Sequence, residues 1–199
     1  MFSKNLIRLS SLIYNKPYFF TEDVAKVLDI SIESARVFVT RYSQKGVFVK
    51  LKKNCYSFEQ RWDLNKEKDF FEISSILRVP SYVSLLTALS YYGITTQIPQ
   101  DTFESITILS TKNYEIKGKN FKFYKVKREF FNGFVRKDNY FMAEKEKAFI
   151  DTLYLYSFGK YSLDFNAIDF KKLNKDMIFE IIKEYPQKTI EVARKICKI

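Results

Sequence analysis

Histidine is absent from all 199 residues. That absence excludes histidine general-base catalysis, Ser-His-Asp triads, HExxH metal sites and imidazole proton shuttles together. Cysteine is scarce: Cys55 and Cys197 can build neither a disulfide framework nor a four-ligand zinc site. No run of about 18 apolar residues occurs, so no membrane-spanning helix is expected. The first residues, MFSKNLIRLSSLIYNKPYFF, lack the continuous apolar segment and small-residue cleavage site of a secretory signal. A cytoplasmic protein without a membrane partner is the expectation. Prolines number four and glycines five, so each one punctuates the chain.

Apolar and positive residues are abundant. At 46% hydrophobic and 18% aromatic, the chain can bury a substantial core and is not expected to be disordered. Lys and Arg number 34 against 23 Asp and Glu, a net charge of +11. Such an excess points to a polyanionic partner, with a solvated lysine-rich surface as the plain alternative. The charges are not spread evenly. Residues 1–62 hold eleven Lys and Arg against five acids, and residues 112–128 hold seven against Glu115 alone. The polar stretch EQRWDLNKEKD, Glu59 to Asp69, predicts a boundary between a domain over 1–62 and a second over 68–199.

In the first segment, Phe2, Leu6, Leu9 and Ile13 recur at helical spacing, and Lys16-Pro17 ends the pattern. Thr21 is the expected N-cap of a short helix, with Glu22 and Asp23 in its first turn. Ser31 is the expected cap of the next, Ile32 to about Lys45, with Ala35, Phe38, Val39 and Tyr42 inward and Gly46 as its stop. Two β-rich runs, 47–51 and 55–58, flank the polar turn Lys52-Lys53-Asn54 and read as a hairpin. Helix, helix, tight turn, helix, hairpin is the order of a winged helix-turn-helix, which lays its second motif helix in the major groove. That helix would present Ser34, Arg36, Val37, Thr40, Arg41 and Gln44 to base edges. Lys45, Lys50, Lys52 and Lys53 would reach phosphates. A basic helix and hairpin used for protein contacts is the competing reading.

In the second segment, Phe70, Phe71, Ile73, Ile76 and Leu77 predict a helix ending before Pro80. Ser81 is the expected cap of another, with Tyr82, Leu85, Leu86, Leu89 and Tyr92 as a core stripe rather than a cofactor box, and Gly93 as its stop. A strand over 105–109 and a hairpin over 114–127 follow, with Phe141-Met142 closing a small antiparallel sheet. The second basic cluster, Lys117, Lys119, Lys122, Lys125, Lys127 and Arg128, could meet nucleic acid or an acidic protein, or be a solvated edge. Ala143 to Tyr156 predicts a helix with Ala148, Phe149, Thr152, Leu153 and Tyr156 inward. Its Glu144 and Asp151 stand about two turns apart, roughly 10 Å, too far to share one ion. Lys147 and Asp151 are better read as an i,i+4 pair. No metal site, cofactor or catalytic residue is expected. Two more helical patterns, through Leu173–Ile182 and Ile190–Ile196, close the chain. The fold class is α+β: a winged helix-turn-helix, then a mixed α/β domain with C-terminal helices.

The order of SYVSLLTALSYYGI (81–94), SITILSTK (105–112), FKFYKVKREFFNGF (121–134) and MAEKEKAFIDTLYL (142–155) behind a basic winged helix resembles the AbiEi-type antitoxins of type IV toxin–antitoxin systems. The resemblance covers roughly residues 1–160. It implies that the winged helix binds repeats in the chain's own promoter and represses its operon. It also implies that the second domain counteracts a nucleotidyltransferase-type toxin without a stable complex. The alternatives left open are a stand-alone winged-helix regulator and a protein-interaction module without a toxin.

Overall fold

The computed structural model describes residues 4–13 and 16–197. Phe2 lies outside them, and so does the side chain of Ile13. The chain forms two compact units, Met1–Leu77 and Arg78–Ile199, of mixed α and β structure. No described helix is long and apolar enough to cross a membrane.

In the first unit, α1 (Lys4–Ile13) and β1 (Phe19–Phe20) precede α2 (Thr21–Leu28) and α3 (Ile32–Gln44). β2 (Phe48–Lys52), β3 (Cys55–Phe58), one-turn α4 (Glu59–Trp62) and α5 (Glu67–Leu77) follow. The sheet is antiparallel, in the order β1-β3-β2. Ser31 caps α3 as expected, its hydroxyl accepting from the Ser34 N–H at 3.2 Å. Thr21 does not cap α2. Asp23 reaches back to accept from the Phe20 N–H at 2.7 Å, which moves the cap to Phe20. The freed Thr21 N–H donates instead to the Asn54 carbonyl at 3.0 Å and ties α2 to the hairpin turn. Asp29 ends α2 in the left-handed region, φ 55°, turning the chain sharply into α3. Leu9, Val24, Ala35 and Val39 are almost wholly buried. Beside them Phe19, Phe38, Phe48 and Phe58 pack with ring centroids 4.9–6.3 Å apart. Each such ring buries on the order of 150–250 Å², so these four dominate the core's energetics.

α5 was expected at the head of the second domain, but it belongs to the first unit. Trp62 meets Phe70 edge to face at 5.4 Å, and Arg61 pairs with Asp69 at 3.3 Å. The ammonium of Lys52 donates to the Ile76 carbonyl.

In the second unit, β4 (Ser81–Val83), α6 (Leu85–Tyr91), β5 (Thr102–Thr107), β6 (Lys112–Ile116), β7 (Lys119–Lys125), β8 (Phe134–Lys137) and β9 (Tyr140–Ala143) lead to α7 (Lys145–Ser157), α8 (Lys175–Ile182) and α9 (Gln187–Cys197). The six strands form one sheet, in the order β6-β7-β5-β4-β9-β8. β5 with β7 and β4 with β9 run parallel, so the sheet is mixed and larger than the small antiparallel one expected. Ser81 starts a strand rather than capping a helix. Tyr82 is wholly buried in β4, paired with Ile106 of β5, and the helix waits until Ser84, whose carbonyl accepts from the Ala88 N–H. A strand buried on both faces shows no alternation, so its apolar run reads equally as helix. Gly93, φ +65°, ends the α6 segment: its N–H donates to Ser90 and that of Ile94 to Leu89. On α7, Ala148, Phe149, Thr152 and Leu153 face inward as expected, but Tyr156 is exposed and stacks edge-on against Phe165 at 4.9 Å.

Candidate nucleic-acid interface

α3 is amphipathic in the expected sense. Ala35, Phe38 and Val39 are buried, whereas Ser34, Arg36, Val37, Thr40, Arg41 and Gln44 are all exposed. Ser34, Val37, Arg41 and Gln44 follow one another at i, i+3, i+7 and i+10 and make one stripe. Arg36 and Arg41 form no ion pair among the described residues; the Arg41 guanidinium lies 5.5 Å from the Tyr42 ring centre. Lys45, the C-cap, places its ammonium 5.8 Å from the same ring. The Thr40 hydroxyl donates to the Arg36 carbonyl at 2.8 Å, so only its lone pairs and methyl are free for a ligand.

The helix face and the hairpin share an open groove, lined by Thr40, Ser43, Gln44, Lys50 and Tyr56. Lys50 is exposed beside α3, and Lys53 is exposed at the turn. Lys52 differs from its neighbours. It is half-buried, and the Ile76 carbonyl engages its ammonium, so it is withdrawn from the phosphate-reaching set. No local pattern signals this, because the partner is a backbone atom 24 positions away. The hairpin turn carries its own anchor, since Asn54, at φ 60°, also accepts from Thr21. Cys55 beside it is a packing residue: burial pushes its thiol up to about 12, well away from thiolate chemistry.

The second basic cluster is divided by strand alternation. On β7, Phe121 and Phe123 are buried, with Lys119 and Lys125 on their side of the strand and Lys122 beside Tyr124 on the other. Lys119 pairs with Asp101, and Lys127 pairs with Glu129 at 3.3 Å. Lys117 opens the turn with Gly118, both at positive φ, and Arg128 begins a short 3₁₀ turn. These six cations do not make one surface.

The acids of α7 have structural partners. Asp151 is buried and takes the Lys147 ammonium in an i,i+4 pair. It also accepts from the Tyr82 hydroxyl at 2.9 Å and the Ser84 hydroxyl at 2.8 Å. Lys147 donates further to the Tyr82 oxygen at 2.9 Å. Burial raises the Asp151 carboxyl above the ordinary carboxylate value, against the pull of Lys147, Ser84 and Tyr82. Glu146 accepts from the Asn174 N–H at 3.0 Å, and Glu144 is exposed. Among the described residues no group of three or more His, Cys, Asp or Glu could hold a metal ion. The i,i+4 spacing indicates the Lys147–Asp151 pair, whereas Tyr82 and Ser84 reach Asp151 from more than sixty positions away and leave no local signal.

Compared with family models, with curated proteins and with solved structures, the chain matches none.

Proposed function

We propose that the chain is a DNA-binding antitoxin of the AbiEi type, which represses its own operon and counteracts a nucleotidyltransferase-type toxin. In this reading the first unit acts as a winged helix-turn-helix, with α3 in the major groove and the β2–β3 hairpin against the backbone. The second unit opposes the toxin without a stable complex, and the chain works in the cytoplasm without catalysis of its own. The observation that carries the DNA reading is the exposed face of α3, whose Arg36 and Arg41 form no ion pair among the described residues and whose Thr40 and Gln44 share a groove with Lys50. Arginine presents a fork that matches the guanine edge, and lysine ammonium groups reach phosphates without sequence preference. Lys45, Lys50 and Lys53 supply affinity; Arg36, Thr40, Arg41 and Gln44 supply preference. The antitoxin part rests on the family resemblance alone.

Two measurements test the proposal. Binding to duplex DNA from upstream of the gene should weaken with salt at a slope of about −2.7 in log–log terms if three phosphates are neutralised. Binding that is flat in salt would point instead to a protein partner and overturn the DNA reading. Expression of the adjacent reading frame should halt growth, and this chain should restore it. If no such toxicity exists, or if it persists, the antitoxin assignment falls.

A further inference from the structure

Val37 is out of place on a polar helix face. It keeps 66% of its full exposure, while the aliphatic neighbour that serves the core, Val39, keeps 1%. It occupies the middle of the Ser34–Gln44 stripe and is the sixth residue of α3, within the half of a recognition helix that meets base edges. Two open depressions meet at it. One is lined by Ile30, Glu33, Ser34, Val37, Phe38 and Arg41, of which Ile30, Val37 and Phe38 are apolar. The other is lined by Arg36, Val37, Thr40, Arg41 and Gln44. Ile30, at the α2–α3 turn, is itself 36% exposed, so the exposed apolar surface extends beyond one side chain. Cations outnumber Glu33, the acid of the first depression: Arg36, Arg41 and Lys45 stand on the helix and Lys50 across the groove, which suits a polyanion.

Resting on the DNA reading above, we infer that Val37, backed by Ile30 and the edge of Phe38, is the specificity-determining contact for the C5-methyl group of a thymine in the major groove. Thymine alone among the four bases presents a methyl there, and an aliphatic side chain recognises it by excluding water from both. Flanking Arg41 and Ser34 then meet the hydrogen-bonding edges of adjacent bases.

The test uses the purified full chain and a random-sequence duplex library. The duplex it enriches is resynthesised with each thymine replaced in turn by deoxyuridine, which changes only methyl to hydrogen. One such replacement should weaken binding by the parent about fourfold, the equilibrium factor for burying one methyl-sized group. The same replacement should cost Val37→Ala clearly less than it costs the parent, because alanine retains only its Cβ to meet the base. Val37 is exposed and alanine favours helix, so the variant should unfold at the parent's temperature. Failure to enrich any sequence would refute the DNA reading itself. Enrichment of a sequence without thymine, or one whose deoxyuridine penalty is undiminished in Val37→Ala, would leave that reading standing and overturn the role given to Val37.

Discussion

Replacing Lys147 with methionine removes a cation from a site with no access to water. Its side chain is 1% exposed and its ammonium serves Asp151 and Tyr82; the Asp151 side chain is fully shielded and has two hydroxyl donors besides. Methionine fills most of the volume but leaves the carboxylate with Tyr82 and Ser84 alone. Breaking one side of a buried pair costs about 3–5 kcal/mol, because the partner is stranded in a medium that solvates it poorly. Whole domains are stable by about 5–15 kcal/mol, so this is a large fraction. Asp151→Asn should cost a comparable amount by stranding the ammonium instead. The double change, Lys147→Met with Asp151→Leu, strands no charge and leaves only two hydroxyls short of an acceptor, about 1–3 kcal/mol each. It should therefore cost far less than the sum of the single changes. Urea unfolding followed by far-ultraviolet circular dichroism reads these values; the single tryptophan, Trp62, lies in the first unit and does not report on this site. Single-variant losses below about 1 kcal/mol, the range of exposed ion pairs, would refute the argument that burial governs this network.

Further outcomes follow from the same reasoning. Gly133→Ala should destabilise by about 1–3 kcal/mol in thermal or urea unfolding. Its φ is +66°, and a Cβ there would stand 2.8 Å from the Lys147 Cγ. Phe48→Ala removes a buried ring that packs on Phe19, Phe38 and Phe58, and should cost about 3–5 kcal/mol by the same assay. Burial raises the Glu104 carboxyl above its ordinary value of 4.5, with Tyr161 and Lys122 opposing. A raised folded-state value means its favourable contribution is complete below 4.5 and is lost as pH rises through the folded value. Glu104→Gln should therefore gain on the parent across that rise and keep a constant difference above it, as read by urea midpoints at stepped pH. For DNA binding, Lys53→Ala should flatten the salt slope by about one, whereas Lys52→Ala, whose ammonium is held by Ile76, should leave it unchanged.

The sequence disclosed most where structure is local. The α3 face follows from a 3.6-residue period, and the Ser31 cap from a hydroxyl placed one residue before the helix. The hairpin break, expected at Gly118-Lys119, falls one residue earlier at Lys117-Gly118, where both residues take positive φ. Non-local pairing was hidden. Nothing in residues 81–83 announces that β4 will lie between β5 and β9, because burial on both faces erases the alternation that marks a strand. The Thr21 cap was displaced by a competing carboxylate two positions on, at Asp23. The candidate interface was legible in its exposed helix positions and illegible at Lys52, whose charge alone resembles that of Lys50 and Lys53. The second basic cluster dispersed because consecutive strand residues face opposite ways, which a net charge over seventeen residues cannot register.

The central claim is that α3 reads duplex DNA with the hairpin lysines beside it. The most direct measurement is competition between the duplex the full chain enriches and random duplex of equal length, for the parent and for Arg41→Ala at matched salt. The account predicts that Arg41→Ala gives up about 1–3 kcal/mol of preference for the enriched sequence while retaining most of its affinity for random DNA. An Arg41→Ala protein that discriminates as well as the parent, or a parent that discriminates between no duplexes, would contradict it.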